Sequence, residues 1–390
     1  MKFNQTLLGG LLLLLSGTFL HAGSSTAASP GIRKIEDITI YRNDDFYSSF
    51  PSIIRRPDGE LLVAFRRAPD RRKLGNGENS HTNPNSYLVS VRSKDSGKTW
   101  TPEPQLLYAH PFGGSQDPCM VQLSDNSILC TSYGWALLAS NQVNNLKAPV
   151  GARPPTPIGQ YVSMGGYILR SVDGGHSWQP PIIPPRPEGV TSFGIFGEPR
   201  PALNRGALCE GKDGRLYWAV TSSGSLAMFI SADKGLTWTE GGLIKANSEV
   251  SFNETSVYET PKGDIVAFIR TAGYNDHLVV ARSTDKGKTF TWKDGGIQGH
   301  PYHAVRLPDK RVLLVYGYRH KPYGIRARVL DAECTDVASV PEVILRDDGG
   351  VGDLGYPWAT VLSKKRALVV YYFNKANGTR TIESTLVEIQ

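Results

Sequence analysis

One pattern, Ser-x-Asp-x-Gly-x-Thr/Ser-aromatic, occurs four times in this chain. The copies are Ser93-Lys-Asp95-Ser-Gly97-Lys-Thr99-Trp100, Ser171-Val-Asp173-Gly-Gly175-His-Ser177-Trp178, Ser231-Ala-Asp233-Lys-Gly235-Leu-Thr237-Trp238 and Ser283-Thr-Asp285-Lys-Gly287-Lys-Thr289-Phe290. Its chemistry is that of a tight turn: Asp accepts from backbone N–H groups, Gly takes a positive φ, and the aromatic is free to pack between sheets. Turn chemistry accounts for each position without a ligand. A repeat at such spacing means an array of similar units, none able to bury its apolar face alone.

A second periodic signal lies between the first. Short apolar runs flank turns at Pro57-Asp58-Gly59, Ser124-Asp125-Asn126, Lys212-Asp213-Gly214, Pro261-Lys262-Gly263, Pro308-Asp309-Lys310 and Ser363-Lys364-Lys365. Each reads as strand, turn, strand. The spacing from Gly263 to Asp285 is 22 residues, and 22 on from Asp309 lies Asp331, a fifth box that has lost its Gly and its aromatic. Six hairpins with boxed turns predict an all-β chain: a six-bladed β-propeller with four clear boxes. The strand around Ile38-Thr-Ile-Tyr41 is expected to close the last blade and remove its open edge.

Residues 1–22 read as a signal peptide, with Lys2, the apolar run Leu7 to Leu20 and small residues at Ala22, Gly23 and Ser24. The run falls short of the roughly 20 apolar residues of a membrane span, and no other stretch is long enough. Cleavage is expected near Ala22 or in the Ala27-Ala28 region, residues 23–35 as a linker, and the propeller over 36–390. The expected location is secreted or periplasmic. Net charge is +7, spread along the chain rather than gathered in runs, which argues against nucleic acid and suits an anionic ligand weakly. A single large domain is expected, as a monomer. Cys119, Cys130, Cys209 and Cys334 form no CxxC pair, so neither a zinc site nor another cofactor is expected. Cys119 and Cys130 flank the Ser124-Asp125 turn, and in a regular hairpin they would face each other, so a disulfide is expected there. Cys209 and Cys334 read as buried small hydrophobes.

The first residues of each innermost strand decide what faces the propeller axis. They are Ser48-Ser49-Phe50-Pro51, Gln116-Asp117-Pro118, Asn204-Arg205-Gly206, Asn253-Glu254-Thr255, His300-Pro301-Tyr302-His303 and Asp353-Leu-Gly355-Tyr356-Pro357. Core strands do not need polar groups at one recurring level, and buried charges are costly unless paired. A shared central pocket is the economical reading. His300 and His303 fall on opposite strand faces, which argues against a metal site, although His303 alone can line the pocket.

The boxes resemble the Asp-boxes of the sialidase (neuraminidase) superfamily, and the resemblance covers almost the whole chain after residue 22. Asn253-Glu254-Thr-Ser-Val-Tyr-Glu-Thr-Pro-Lys-Gly263 followed by Arg270 is similar to the segment that carries the family's catalytic Glu and a carboxylate-binding Arg. Leu354-Gly355-Tyr356-Pro-Trp-Ala-Thr-Val-Leu362 is similar to the segment with the catalytic Tyr. Arg326, in Tyr323-Gly-Ile-Arg326-Ala-Arg328, lies where the family's last triad arginine is expected; Arg319 competes for the role, and Arg205 is a further candidate. The resemblance implies a Tyr nucleophile activated by a carboxylate, with arginines gripping a sugar carboxylate.

Two departures stand out. The family opens blade one with Arg-Ile-Pro, whereas Ser49-Phe50-Pro51 stands here. The family's acid/base Asp lies in the loop before the third strand of blade one, and Gly77-Glu78-Asn79-Ser80-His81-Thr82-Asn83-Pro84 has none. His81 can serve as the acid, with Glu78, Asp70 and Asp117 as alternatives. The expected activity is an exo-acting glycoside hydrolase for terminal acidic sugars. The catalytic residues would be Tyr356, Glu254 and His81, and the substrate contacts Arg270, Arg326, Arg319, Arg205, Asp117 and His303. The alternatives are a glycosidase or lyase for another sugar, and a carbohydrate-binding propeller without catalysis.

Overall fold

The second strand of each hairpin is an almost unbroken apolar run: Leu61-Leu-Val-Ala-Phe65, Leu216-Tyr-Trp-Ala-Val220, Ile265-Val-Ala-Phe-Ile269, Val312-Leu-Leu-Val-Tyr316 and Ala367-Leu-Val-Val-Tyr371. All are fully buried, because each sheet is covered on both faces. In the computed structural model, which describes residues 31–73, 75, 81–375 and 378–390, these runs sit in the middle of five of the six antiparallel sheets.

Blade one holds Phe46–Arg55, Leu61–Pro69, Tyr87–Ser93 and Gln105–Tyr108. Blade two has an innermost strand in two pieces, Gly114–Ser115 and Cys119–Gln122, then Ile128–Leu138 and Gln160–Ser171. A bridge from Ile168 to Ile182 marks its outer edge. Blade three holds Cys209–Glu210, Leu216–Ser222, Ser225–Ser231 and Thr239–Ile244, and blade four Ser251–Glu259, Ile265–Ala272, His277–Ser283 and Thr291–Gln298. Blade five holds Tyr302–Arg306, Val312–Tyr318, Gly324–Leu330 and Val343–Arg346. Blade six holds Gly355–Ser363, Arg366–Asn374 and Arg380–Ile389, closed by the N-terminal strand Ile32–Tyr41. All six expected hairpins are present. The closing strand begins at Ile32, so residues 32–35, expected in the linker, belong to the propeller; the expected signal peptide lies outside the described residues.

Neighbouring blades share a core. Ile53, Val63 and Phe65 of blade one pack with Trp358, Leu368 and Val370 of blade six. The boxes clamp the opposite end of the ring. Asp95 Oδ1 accepts from Ser93 Oγ (2.8 Å) and the Thr99 N–H (2.9 Å), and Oδ2 accepts from Thr99 Oγ1 (2.6 Å). Asp173, Asp233 and Asp285 repeat the arrangement. Asp331 holds Thr335 through the same oxygens, so the fifth box keeps its clamp without Gly or aromatic. Gly235 shows why glycine is favoured: its φ is +86°, and a Cβ there would meet Leu129 of the next blade at 2.5 Å.

The expected disulfide is absent, and all four cysteines are free. The hairpin closes between Leu123 and Ser127, which pairs Cys119 with Thr131 and Cys130 with Met120. That register is one residue away from the symmetric one, so the two cysteines point to opposite faces of the sheet. Cys119 packs in the core shared by blades one and six, Cys130 in the core beside Leu62 and Leu88. Cys334 is buried as expected, and Cys209 is half-buried.

One irregularity recurs at a single level of the ring. In blade one, Phe50 and Pro51 stand between the paired residues Ser49 and Ser52, two residues opposite one on the neighbouring strand. Tyr356 and Pro357 do the same in blade six, and Asn253 and Glu254 in blade four. In blade two, residues 116–118 interrupt the innermost strand between Ser115 and Cys119. These bulges re-aim a side chain out of the sheet plane. They bring Phe50, Asp117, Glu254 and Tyr356 to one place.

Candidate active site

That place is a cavity of about 320 Å³ at the end of the ring opposite the boxes. Its walls include Phe50 and His81 from blade one, Gln116, Asp117, Tyr133 and Trp135 from blade two, Asn204 and Arg205 from blade three, Glu254 and Arg270 from blade four, and Tyr356 from blade six.

Tyr356 and Phe50 both hold positive φ, +52° and +56°. Large side chains rarely adopt this conformation, and such strain persists where surrounding packing over-determines it. Here the two rings meet edge to face, 4.7 Å between centroids. The Tyr356 hydroxyl donates to Glu254 Oε1 at 2.5 Å. Arg270 Nη1 donates to Glu254 Oε2 at 2.6 Å and to the Tyr356 oxygen at 3.1 Å. The three side chains form a closed triangle 102 residues apart at its widest sequence separation. Burial alone would raise the Glu254 carboxyl. Arg270, the Tyr356 hydroxyl and Arg205 together outweigh it, and the carboxyl is held down to about 2. Burial and the neighbouring Glu254 charge push the Tyr356 phenol above its ordinary range, against Arg270 and Arg319. The resting pair is a neutral phenol on an ionised carboxylate.

The arginines divide. The Arg319 guanidinium lies 5.1 Å from the Tyr356 ring centroid, donating from Nη2 to the Tyr372 hydroxyl (2.7 Å) and from Nε to the Leu354 carbonyl (2.9 Å). Arg205 is buried 4.6 Å from the centroid of the same ring, with Nε and Nη1 unpartnered. Arg326 does not reach the cavity, contrary to expectation. It sits on the third strand of blade five, away from the axis, buried with Nε 3.4 Å from Glu342 and Nη2 donating to the Pro322 carbonyl. His303 is also misplaced by the sequence reading: its ring stacks on Trp358 at 4.3 Å, and Nδ1 accepts the Ala359 N–H. Burial, then Arg205, lowers its imidazole to about 3, so it is a neutral core residue.

On the blade-one wall, His81 Nε2 lies 2.8 Å from Asp353 Oδ1. The Asp353 carboxylate also accepts from the Tyr47 and Tyr372 hydroxyls and from Arg380. Against its own burial, these donors hold it well below the usual carboxylate range, His81 first among them. Asp70 is engaged by Arg72 and does not line the cavity, and Glu78 lies outside the described residues. Asp117 does line the cavity. It is buried, Tyr133 donates to its Oδ2 at 3.3 Å, and Oδ1 has no partner. Burial pushes its carboxyl up to about 6 despite Arg205.

Three features of the site had little sequence signal. Tyr133 and Trp135 lie within the second strand of blade two, in Tyr133-Gly134-Trp135. Arg153 comes from the insertion between the second and third strands of blade two and lies over the Trp135 ring at 4.6 Å. Arg66 pairs across the strands with Ser49, the position where the resembling family has its first arginine. It is fully buried behind Phe50, 5.9 Å from that ring. Among the described residues no cluster of His, Cys, Asp and Glu is arranged to hold a metal ion.

Comparison with known proteins agrees with this architecture. The model of a BNR repeat-like domain matches residues 155–369. A protein of unknown function from Dyadobacter fermentans DSM 18053 is similar at 56% identity and a TM-score of 0.89, over 93% of this chain and 100% of that one. The K499G mutant of NanB sialidase from Streptococcus pneumoniae is similar in fold at 15% identity and a TM-score of 0.61, over 90% of this chain and 70% of that one. Trypanosoma rangeli sialidase in complex with sialic acid is similar in fold at 15% identity and a TM-score of 0.59, over 93% of this chain and 59% of that one. No curated protein sequence matches.

Proposed function

We propose that this chain, which belongs to the BNR repeat-like domain family and has a sialidase-like six-bladed propeller, is an exported, retaining exo-glycoside hydrolase acting on a terminal acidic sugar. The observation that carries the reading is the Tyr356–Glu254–Arg270 triangle in the floor of an axial cavity. A phenol is a poor nucleophile at its ordinary pKa near 10 and needs a base within hydrogen-bond reach. Glu254 is that base.

The resting values place Glu254 far below Tyr356, so the proton stays on the phenol until attack begins. As the phenolic oxygen bonds to the anomeric carbon, its proton becomes acidic and passes to Glu254 Oε1. A substrate carboxylate on Arg270 shares the cation that holds Glu254 down, which makes Glu254 a better base only when the site is filled. Arg319 adds a second cation beside the Tyr356 ring, where it favours developing phenolate character. A neutral phenol also suits a carbon that bears a carboxylate, since an anionic nucleophile would be repelled. The N-terminal apolar run supports export.

A second reading, a hydrolase for a different sugar, is favoured by one observation: the blade-one wall presents Phe50, with Arg66 sealed behind it. The two readings separate on substrate. Residues 23–390 are expected to release 4-methylumbelliferone from its α-sialoside, and Tyr356→Phe and Glu254→Gln to lose that turnover by at least about 10²-fold. No release between about pH 4 and about pH 8 sinks the acidic-sugar reading and moves the assay to uronide, rhamnoside and arabinoside substrates.

A further inference from the structure

We infer that Asp117, on the bulge of blade two, is the acid/base residue of this site; the inference rests on the retaining mechanism proposed above. Its position repeats that of Tyr356. Each residue precedes a proline, in Asp117-Pro118 and Tyr356-Pro357, and each interrupts an innermost strand at the same level of the ring. That break in the strand places Asp117 on the wall of the cavity that Tyr356 also lines.

The carboxyl has the anatomy of a proton donor. The Tyr133 hydroxyl donates to Oδ2 and fixes the group's orientation. Oδ1 is buried and unpartnered. An ionised carboxylate left with a bare oxygen in a buried site is costly, so the proton belongs on Oδ1. Burial is the largest influence on its pKa, raised to about 6, a suitable value for exchanging protons in both steps. The charged and titratable groups around it come from four blades besides its own: Arg66 and His81 from blade one, Arg205 from blade three, Glu254 from blade four and Tyr356 from blade six, with Tyr133 and Cys119 on its own blade. Gln116 Nε2, Asn204 Oδ1 and Arg205 Nη1, also unpartnered, flank it as contacts for sugar hydroxyls.

His81 is less suited. Its Nε2 is engaged with Asp353 Oδ1 at 2.8 Å. Its place in the Asp353, Tyr47, Tyr372 and Arg380 network makes it a fixed wall.

In the first step the Tyr356 oxygen bonds to the anomeric carbon and its proton goes to Glu254. The glycosidic C–O bond breaks, its electron pair goes to the leaving oxygen, and that oxygen takes the proton from Asp117 Oδ1. In the second step a water oxygen bonds to the anomeric carbon and the C–O(Tyr356) bond breaks. The phenolate recovers its proton from Glu254, and the water proton goes to Asp117.

The test compares Asp117→Asn and His81→Gln on sialyllactose, whose leaving group needs protonation, and on the 4-methylumbelliferyl α-sialoside, whose leaving group does not. Asp117→Asn should lose about 10²–10⁴-fold on sialyllactose and much less in the first step on the aryl substrate. It should accumulate a Tyr356 adduct visible by intact-mass spectrometry. Added azide should restore turnover and give a glycosyl azide with the substrate's own anomeric configuration. Wild type should also lose activity above about pH 6 on sialyllactose, and Asp117→Asn should lack that limb. Equal losses on both substrates without azide rescue overturn the assignment, as does the same signature in His81→Gln. If folded wild type turns over neither sialoside nor the other glycosides named above, the hydrolase reading itself fails and this one falls with it.

Discussion

Phe50 and Tyr356 face each other edge to face across the seam where the first and last blades meet, 4.7 Å between ring centroids. Each is a non-glycine residue at positive φ followed by a proline, so two strained bulges brace one another. Phe50 also touches Tyr372 and His81. Phe50→Ala should therefore cost about 3–5 kcal/mol in denaturant unfolding and also lower kcat at saturating substrate. A stability loss with kcat unchanged would mean that Tyr356 is positioned without it.

Arg319 and Arg326 should behave differently. Arg319→Gln should raise KM for an acidic substrate by about tenfold or more, since it removes a cation beside the Tyr356 ring while leaving the packing of blade five intact. Arg326→Gln should leave KM unchanged and lower the unfolding midpoint, because Arg326 is held by Glu342 and backbone carbonyls inside blade five. Steady-state kinetics beside a urea titration of each variant distinguishes the two.

Stability should respond to pH through two carboxyls of opposite sense. Asp117 titrates higher in the fold than when free, moving from 3.8 to about 6. Its neutral form is the one the fold favours, so its contribution is complete below about pH 4 and is lost as pH rises through 6. Two units correspond to roughly 3 kcal/mol. Glu254 titrates lower, from 4.5 to about 2. Its contribution is complete above about pH 4.5 and is lost as pH falls toward 2. Asp117→Asn should flatten the wild-type decline between pH 4 and 6, read by urea unfolding at each pH; an unchanged slope would show that Asp117 is ionised in the fold at acid pH.

All four cysteines should titrate as thiols in denaturant without reductant. Two thiols instead of four would mean that the Cys119 hairpin adopts the register that brings Cys119 and Cys130 to one face.

The fold was largely legible in the sequence because a propeller is an array. Four full boxes and six hairpin turns each carry their own local chemistry, so each blade announces itself within a few dozen residues. Even Asp331, without Gly or aromatic, could be placed by spacing, because its clamp needs only a carboxylate and a hydroxyl four residues on. Glu254, Tyr356 and Arg270 were legible through their surrounding motif, and Asp117 through the polar residues that recur at the start of each innermost strand. Arg326 and His303 were not. Residues five or ten positions apart in strands can point to the axis or to the neighbouring blade, and motif distance alone does not say which. The disulfide failed for the same kind of reason, a one-residue choice of turn that inverts a face.

The sequence by itself determined the repeat, the number of blades and the composition of the cavity's floor, because these follow from local turn chemistry and from side chains that recur at one level of each unit. Only the tertiary structure decided which arginines stand by Tyr356, that Phe50 seals Arg66 from the cavity, and that Asp117 keeps an oxygen bare beside Arg205 and Glu254. Those outcomes depend on which strand faces overlap when six twisted sheets close into a ring, and burial sets the protonation of each group only once the ring is closed.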